Sequence, residues 1–358
     1  MINVTKTFLP NKAKYQKYID EIYANGWITN NGPLVKKLEL RLAEYLGVKN
    51  IILVSNGTTA LEIAYRTLDI KGDAITTPFS FVATTSSLVT NGIKPIFADI
   101  DPQTLNLDPK NIEEKITPNT SAIVPVHVFG NACNVEAIDT IAKKHNLKVI
   151  YDAAHAFDVN YKDQSILNYG DISTLSFHAT KLFHTIEGGA LVINDDQLVQ
   201  KARYLINFGI ENAESIPNLG TNAKMNEFEA AMGLCVLDEI EDVTKARKII
   251  YERYYTQLKD IVTFPTQNIN SNQNYGYFPI LLHDEEETLK LQYALNHEQI
   301  SPRRYFYPSL DTLNYIKPKQ CCKESRETSK KILCLPMYSD LKINEQKKII
   351  EIILKELS

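Results

Sequence analysis

The chain has 358 residues, 44% hydrophobic and 23% charged, and its 39 basic and 43 acidic side chains leave a formal charge of −4. Such values exclude a disordered chain, a collagen-like repeat and a strongly basic nucleic-acid binder, and the length suits one large or two modest domains. A slightly negative global field cannot attract an acidic ligand, so any such ligand needs a local site.

In chain order, the N-terminal Met1 to Lys12 lacks the apolar core of a signal peptide, and the expectation is a cytoplasmic protein. Tyr15 to Asn25 and Leu34 to Leu46 have helical spacing of apolar residues and are separated by the turn-like Asn30-Asn31-Gly32-Pro33. Short apolar runs then alternate with helical patterns. The runs are Ile51 to Val54, Ala74 to Thr77, Pro95 to Ala98, Ala122 to Val126, Val149 to Asp152, Ile172 to Phe177 and Gly189 to Ile193. The helices between them are predicted at Thr59 to Leu68, Val82 to Thr90, Val135 to His145 and Asp196 to Asn207. This alternation predicts an α/β fold with a mainly parallel sheet. The uncharged stretch Ala74 to Ile93 has the length of a membrane span, but it holds eight Ser or Thr residues and Pro78, and it reads as strand, loop and buried helix start.

The pattern changes after about residue 224. One long helix is predicted from Asn226 to about Leu258, with Met232, Val236, Leu237 and Ile240 on one face. A strand-like run, Tyr277 to Leu282, a helix at Glu285 to Asn296 and helices near Lys323 and Ile343 follow. These are too few for a second doubly wound sheet. The expected division is an N-terminal arm and large α/β domain over residues 1–240 and a smaller α+β domain over 241–358. The five cysteines form no C-x-x-C pair and no His-assisted metal spacing, so neither a disulfide framework nor a metal site is expected.

Three local patterns carry chemistry. Val54-Ser55-Asn56-Gly57-Thr58-Thr59 ends a strand and opens a helix, where free N–H groups and the dipole favour a phosphate; a plain capped βα turn explains the same residues equally well. Asp152, in Val149-Ile150-Tyr151-Asp152-Ala153-Ala154-His155, sits where a buried strand runs out, the place at which parallel sheets bind ligands. Its alternative is an N-cap, and His155 alone would more often be structural. Lys181 follows the run Ser176-Phe177-His178-Ala179-Thr180 and precedes Glu187-Gly188-Gly189. Singly, a lysine there is unremarkable, since most are solvated. In combination, a phosphate cup, a strand-end Asp and a downstream Lys are the protein parts that pyridoxal phosphate (PLP) chemistry needs: an anchor, a partner for the ring nitrogen and a Schiff-base amine.

At these residues the chain resembles the DegT/DnrJ/EryC1/StrS family of nucleotide-sugar aminotransferases, and the resemblance runs end to end. It includes Gly26-Trp27-Ile28-Thr29, Pro78 to Thr84, Asp99-Ile100-Asp101, Pro125-Val126-His127, Asn222 to Ala231 and Leu335-Pro336-Met337-Tyr338 as well as the three patterns above. It implies the fold type I PLP-dependent aminotransferase architecture, with a large, mainly parallel α/β/α sandwich. By the aligned motifs, Gly57, Thr58, Thr59 and Ser176 would bind the cofactor phosphate, Phe81 would stack on the pyridine ring, and Asp152 would meet its nitrogen. His155, where Gln is common, would reach the phenolic oxygen, and Lys181 would be the catalytic lysine. Asn222 would reach the phosphate from a neighbouring subunit, which implies a homodimer with shared active sites.

Within the family, the wording around Trp27 to Pro33 and Ser176 to Lys181 is most similar to transaminases that use L-glutamate to make dTDP-4-amino-4,6-dideoxyglucose for surface polysaccharides. Lysine rather than histidine at 181 separates the chain from the deoxygenating branch. Thr29, His184, Arg304 and Tyr307 are candidates for the sugar site. Lys224 stands where many relatives have Arg, and His184 where close relatives often have Asn. Three alternatives stay open: another sugar position or a UDP- or GDP-linked sugar; an amino-acid transaminase, which would need an arginine clamp for a second carboxylate; and a PLP-binding regulator without turnover, for which no appended basic domain is seen.

Overall fold

The structure, a computed structural model, describes residues 1–357. All seven apolar runs join one sheet, in the spatial order Ile51–Val54, Gly189–Ile193, Ile172–Ser176, Lys148–Asp152, Thr120–Val124, Asp73–Thr76 and Lys94–Phe97. Only Gly189–Ile193 runs antiparallel to its neighbours. The runs are continuous in sequence because both faces are covered. Ile51, Leu53, Val149 and Tyr151 pack with Leu38, Leu42, Ile138 and Leu234 on one side. The alternate residues Ile52, Val54 and Ile150 pack with Ala60, Ala64 and Leu205 on the other.

The helices lie close to their expected places: Lys12–Asn25, Pro33–Leu46, Gly57–Thr67, Val82–Thr90, Val135–His145 and Asp196–Leu205. In the turn before Pro33, Asn30 and Asn31 take left-handed backbone angles. The helix that follows has no side-chain cap of its own; the buried Glu227 carboxylate accepts the N–H groups of Leu34 and Val35 instead. The uncharged Ala74 to Ile93 stretch forms the end of one strand, a turn and the helix Val82–Thr90. Among the described residues no helix is long and apolar enough to cross a membrane.

The long helix expected from Asn226 is two helices, Glu227–Leu237 and Ile240–Leu258. Neither Pro nor Gly marks the break at Asp238-Glu239. The reason is tertiary: residues Ala230 to Leu237 are buried all round against the sheet core, whereas Ile250, Tyr254 and Leu258 serve a different core with Phe278, Leu291, Leu333 and Ile349. A helix covered on every side and a helix buried on one stripe need different axes. Strand Ile2–Asn3 pairs in parallel with Ile300–Ser301, so the start of the chain packs on this C-terminal core. Pro279–Leu281 pairs with Ile332–Cys334. Pro279–Leu281 lies inside the expected run Tyr277 to Leu282, whereas the strands Ile2–Asn3, Ile300–Ser301 and Ile332–Cys334 are too short to leave a period in the sequence.

Candidate active site

Strands Ile51–Val54, Lys148–Asp152 and Ile172–Ser176 are parallel, so Ser55, Asp152 and Ser176 emerge at the same edge of the sheet, and the antiparallel strand starts there at Gly189. A cavity of about 330 Å³ opens at this edge. Asn56 caps the helix Gly57–Thr67 by accepting from the N–H and the hydroxyl of Thr59, at 2.8 and 2.9 Å. The amides of Gly57 and Thr58, in the first turn, have no intrahelical acceptor. Glycine is required at 57, because an added Cβ would lie 2.8 Å from Ser176 Cβ. At 189 it would lie 2.6 Å from the Asn56 carbonyl carbon. Gly57, Thr58 and Ser176 line the cavity; Thr59, expected beside them, is tied to Asn56 and is absent from the wall.

Asp152 is buried on the wall. Its Oδ1 accepts from Ala154 N–H at 3.1 Å and its Oδ2 from the Thr84 hydroxyl at 2.7 Å. Burial pushes its carboxyl up, opposed by these bonds and by the charge of Lys181. The Lys181 amine donates to the Tyr277 hydroxyl at 3.1 Å, and burial brings it down to about 8 although Asp152 and Tyr305 favour its charged form. A buried amine beside a buried carboxylate, each poised away from its ordinary range, is the arrangement expected of reacting groups.

His155 Nδ1 accepts from Phe129 N–H at 3.3 Å, so in the neutral ring the proton sits on Nε2. Burial holds the imidazole well below its ordinary range. Its plane lies parallel to those of Phe129 and Phe306, which fix its orientation. Phe81, at the N-cap of Val82–Thr90, is on the wall and half exposed.

Besides Thr59, four expected sugar contacts and one further phosphate contact are not brought to this cavity. His184 is buried, with Nε2 donating to Phe8 carbonyl at 2.7 Å and Nδ1 accepting from Ile186 N–H; it fastens the N-terminal arm. Arg304 is held by Glu285 at 2.7 Å and by the carbonyls of Ser329 and Lys330, with its guanidinium 3.7 Å from the Tyr307 ring centroid. Arg303, Tyr305 and Phe306 line the cavity instead: Arg303 is bridged to Cys334, and the chain turns at Tyr305-Phe306 with Tyr307 N–H donating back to the Arg304 carbonyl. Thr29 lies outside the wall. So does Asn222, which is exposed and bridged to Asn207, while Lys224 donates to Asn207 Oδ1 and sits over Phe208. Thr84 and Tyr277 were missed: Thr84 lies one helical turn from Phe81, whereas Tyr277 carried only a strand signal.

The residues fit PLP. A buried amine can take its aldehyde, a buried carboxylate can meet its ring nitrogen, and the glycine-permitted approach of Gly57 to Ser176 leaves a helix start open to its phosphate. Among the described residues no cluster of His, Cys, Asp or Glu could hold a metal, and the cysteines are unbridged. A model of the DegT/DnrJ/EryC1/StrS aminotransferase family matches residues 11–354. The chain is 46% identical over 347 residues to dTDP-4-amino-4,6-dideoxy-D-glucose transaminase of Shigella dysenteriae, covering 95% of each. It is 40% identical over 367 aligned positions to the Escherichia coli protein of that name, covering 99% of each. A crystal structure of DesI with its TDP-sugar product superposes with a TM-score of 0.94 at 30% identity, covering 99% of this chain and 93% of that one.

Proposed function

Because the chain belongs to the DegT/DnrJ/EryC1/StrS aminotransferase family and is a PLP-dependent transaminase, we propose that it moves the amino group of L-glutamate to dTDP-4-keto-6-deoxyglucose, giving dTDP-4-amino-4,6-dideoxyglucose. The observation that carries this reading is the buried Lys181 amine beside Asp152 in the sheet-edge cavity, in a chain so similar to two transaminases of that product. We place the enzyme in the cytoplasm as a homodimer and its product in surface-polysaccharide synthesis, as the family resemblance implies.

When bound, PLP supplies an electron sink for charge developing at the reacting carbon. The remaining work falls to the backbone and side chains of the protein. Gly57, Thr58 and Ser176 anchor the phosphate, joined by Asn222 of a second copy; Phe81 provides a flat platform. Asp152 pairs with the ring nitrogen and keeps it protonated, and His155 turns its Nε2–H to the phenolic oxygen. Lys181, partly neutral near pH 8, takes a proton from the α-carbon of glutamate and later delivers one to C4 of the sugar. In this reading the tightly held Arg304 and His184 shape the walls rather than touch the sugar.

The test is product analysis with purified protein, glutamate and a panel of 4-keto-6-deoxy nucleotide sugars. The dTDP-glucose derivative should give the 4-amino product. A UDP- or GDP-linked sugar reacting while the dTDP-sugar does not would overturn the substrate. Lys181→Ala should abolish both turnover and the visible band of the lysine-bound cofactor.

A further inference from the structure

Ser80, Thr84 and Asp152 are joined by two hydrogen bonds, 2.8 Å from Ser80 Oγ to Thr84 Oγ1 and 2.7 Å from Thr84 Oγ1 to Asp152 Oδ2. All three side chains are buried, and Ser80 is itself on the cavity wall. Direction follows from valence. An ionised carboxylate only accepts, so the single Thr84 hydroxyl hydrogen goes to Asp152, and Ser80 must supply the hydrogen between the two hydroxyls. With Ala154 N–H on Oδ1, each carboxylate oxygen has one fixed donor, and the group is held in one rotation.

We infer that Thr84 is a positioning residue for the transamination: through the Ser80-to-Thr84 hydroxyl chain it orients the Asp152 carboxylate and keeps it an anion for the cofactor ring nitrogen. This rests on the reading of Asp152 given above. Two hydroxyls, Ser80 just before the helix Val82–Thr90 and Thr84 in its first turn, thus do what water would do at an exposed carboxylate. The groups that also face Asp152 are Lys181, which favours its charge, and Tyr65 and Tyr277, both neutral because burial raises them; His155 is neutral beside Lys181. None of them replaces the Thr84 hydrogen bond.

The experiment is PLP binding to cofactor-free protein, followed by protein fluorescence across pH, with circular dichroism to confirm folding. Thr84→Val keeps the branched shape and removes the hydroxyl. The pH at which affinity falls on the acid side should then rise by about one unit, as expected for the loss of one hydrogen bond to a charged group. Thr84→Ser should restore the wild-type profile. The cofactor's own titration is common to all variants, so only differences count. An unchanged acid limb in folded Thr84→Val, or a shift equally large in Thr84→Ser, overturns the inference. Should Thr84→Val fail to fold, Ser80→Ala removes the outer donor alone and should move the limb the same way by less; no movement overturns it. Asp152→Asn separates the two levels. If it leaves the acid limb in place, the reading of Asp152 fails; if it removes the limb while Thr84→Val does nothing, only the role of Thr84 fails.

Discussion

At the scale of single residues, the dominant force in the site is desolvation. Lys181 is half-buried, with a hydroxyl and a carboxylate near its amine, and desolvation of that amine brings it from its ordinary 10.5 to about 8. The same shift is a stability statement. Between those two pH values the unfolded chain binds the proton and the folded chain does not, so folding becomes more favourable as pH rises through the interval, and the full penalty is present below about 8. Lys181→Met in cofactor-free protein should therefore be more stable than wild type at pH 7, by up to about 3 kcal/mol. That gain should shrink toward pH 10.5. Urea denaturation of both proteins at pH 7 and near pH 10 checks this; an equal difference at the two pH values would show that the amine is solvated. Tyr277→Phe keeps the ring that packs against His155 and Phe129 but removes the hydroxyl bound to Lys181. It should lower kcat several-fold with little change in cofactor affinity, a split read directly from steady-state rates and a binding titration.

At the scale of elements, the close approach of the Gly57–Thr67 helix start to the end of Ile172–Ser176 sets the cup. Gly57→Ala forces its new methyl within 2.8 Å of Ser176 Cβ, a backbone-proximal atom that cannot swing aside. Overpacking of this kind should cost about 1–3 kcal/mol of stability and weaken PLP binding, measured by thermal unfolding and titration. This cup was legible in the sequence because strand end, glycine and helix start are contiguous there. Asp152 was legible for a similar reason, ending a run of buried residues. The seven strands were legible because burial on both faces makes each one a solid apolar run. What escaped depends on contacts far apart in the chain. Thr84 meets Asp152 across 68 residues and Tyr277 meets Lys181 across 96, and no local period encodes either. The choice between Arg303 and Arg304 turned on one distant contact, the pairing of Arg303 with Cys334. The helix break at Asp238-Glu239 was hidden because two different cores, rather than Pro or Gly, impose it.

At the scale of the molecule, one observation bears on assembly. Asn222 lies outside the cavity of its own chain, and the segment that leads to it carries Phe208, Ile216 and Leu219 with 51%, 68% and 86% of their surface exposed. Exposed apolar side chains on one segment suit a partner surface. In a two-fold dimer the same patch serves both copies, so an Asn222 that reaches across completes the partner's site while the partner's completes its own. Subunit mixing tests this without any structure of the assembly. Lys181→Ala homodimers lack the amine at both sites, and Asn222→Ala homodimers lack the shared phosphate contact at both. After co-refolding, half the dimers should be mixed, and each mixed dimer holds one site with an intact Lys181 from one chain and an intact Asn222 from the other. Two preparations that are weak or inactive alone should then recover about a quarter of wild-type activity. Activity that stays at the level of the two parents would place Asn222 in its own subunit's site, and would remove the main support for shared active sites.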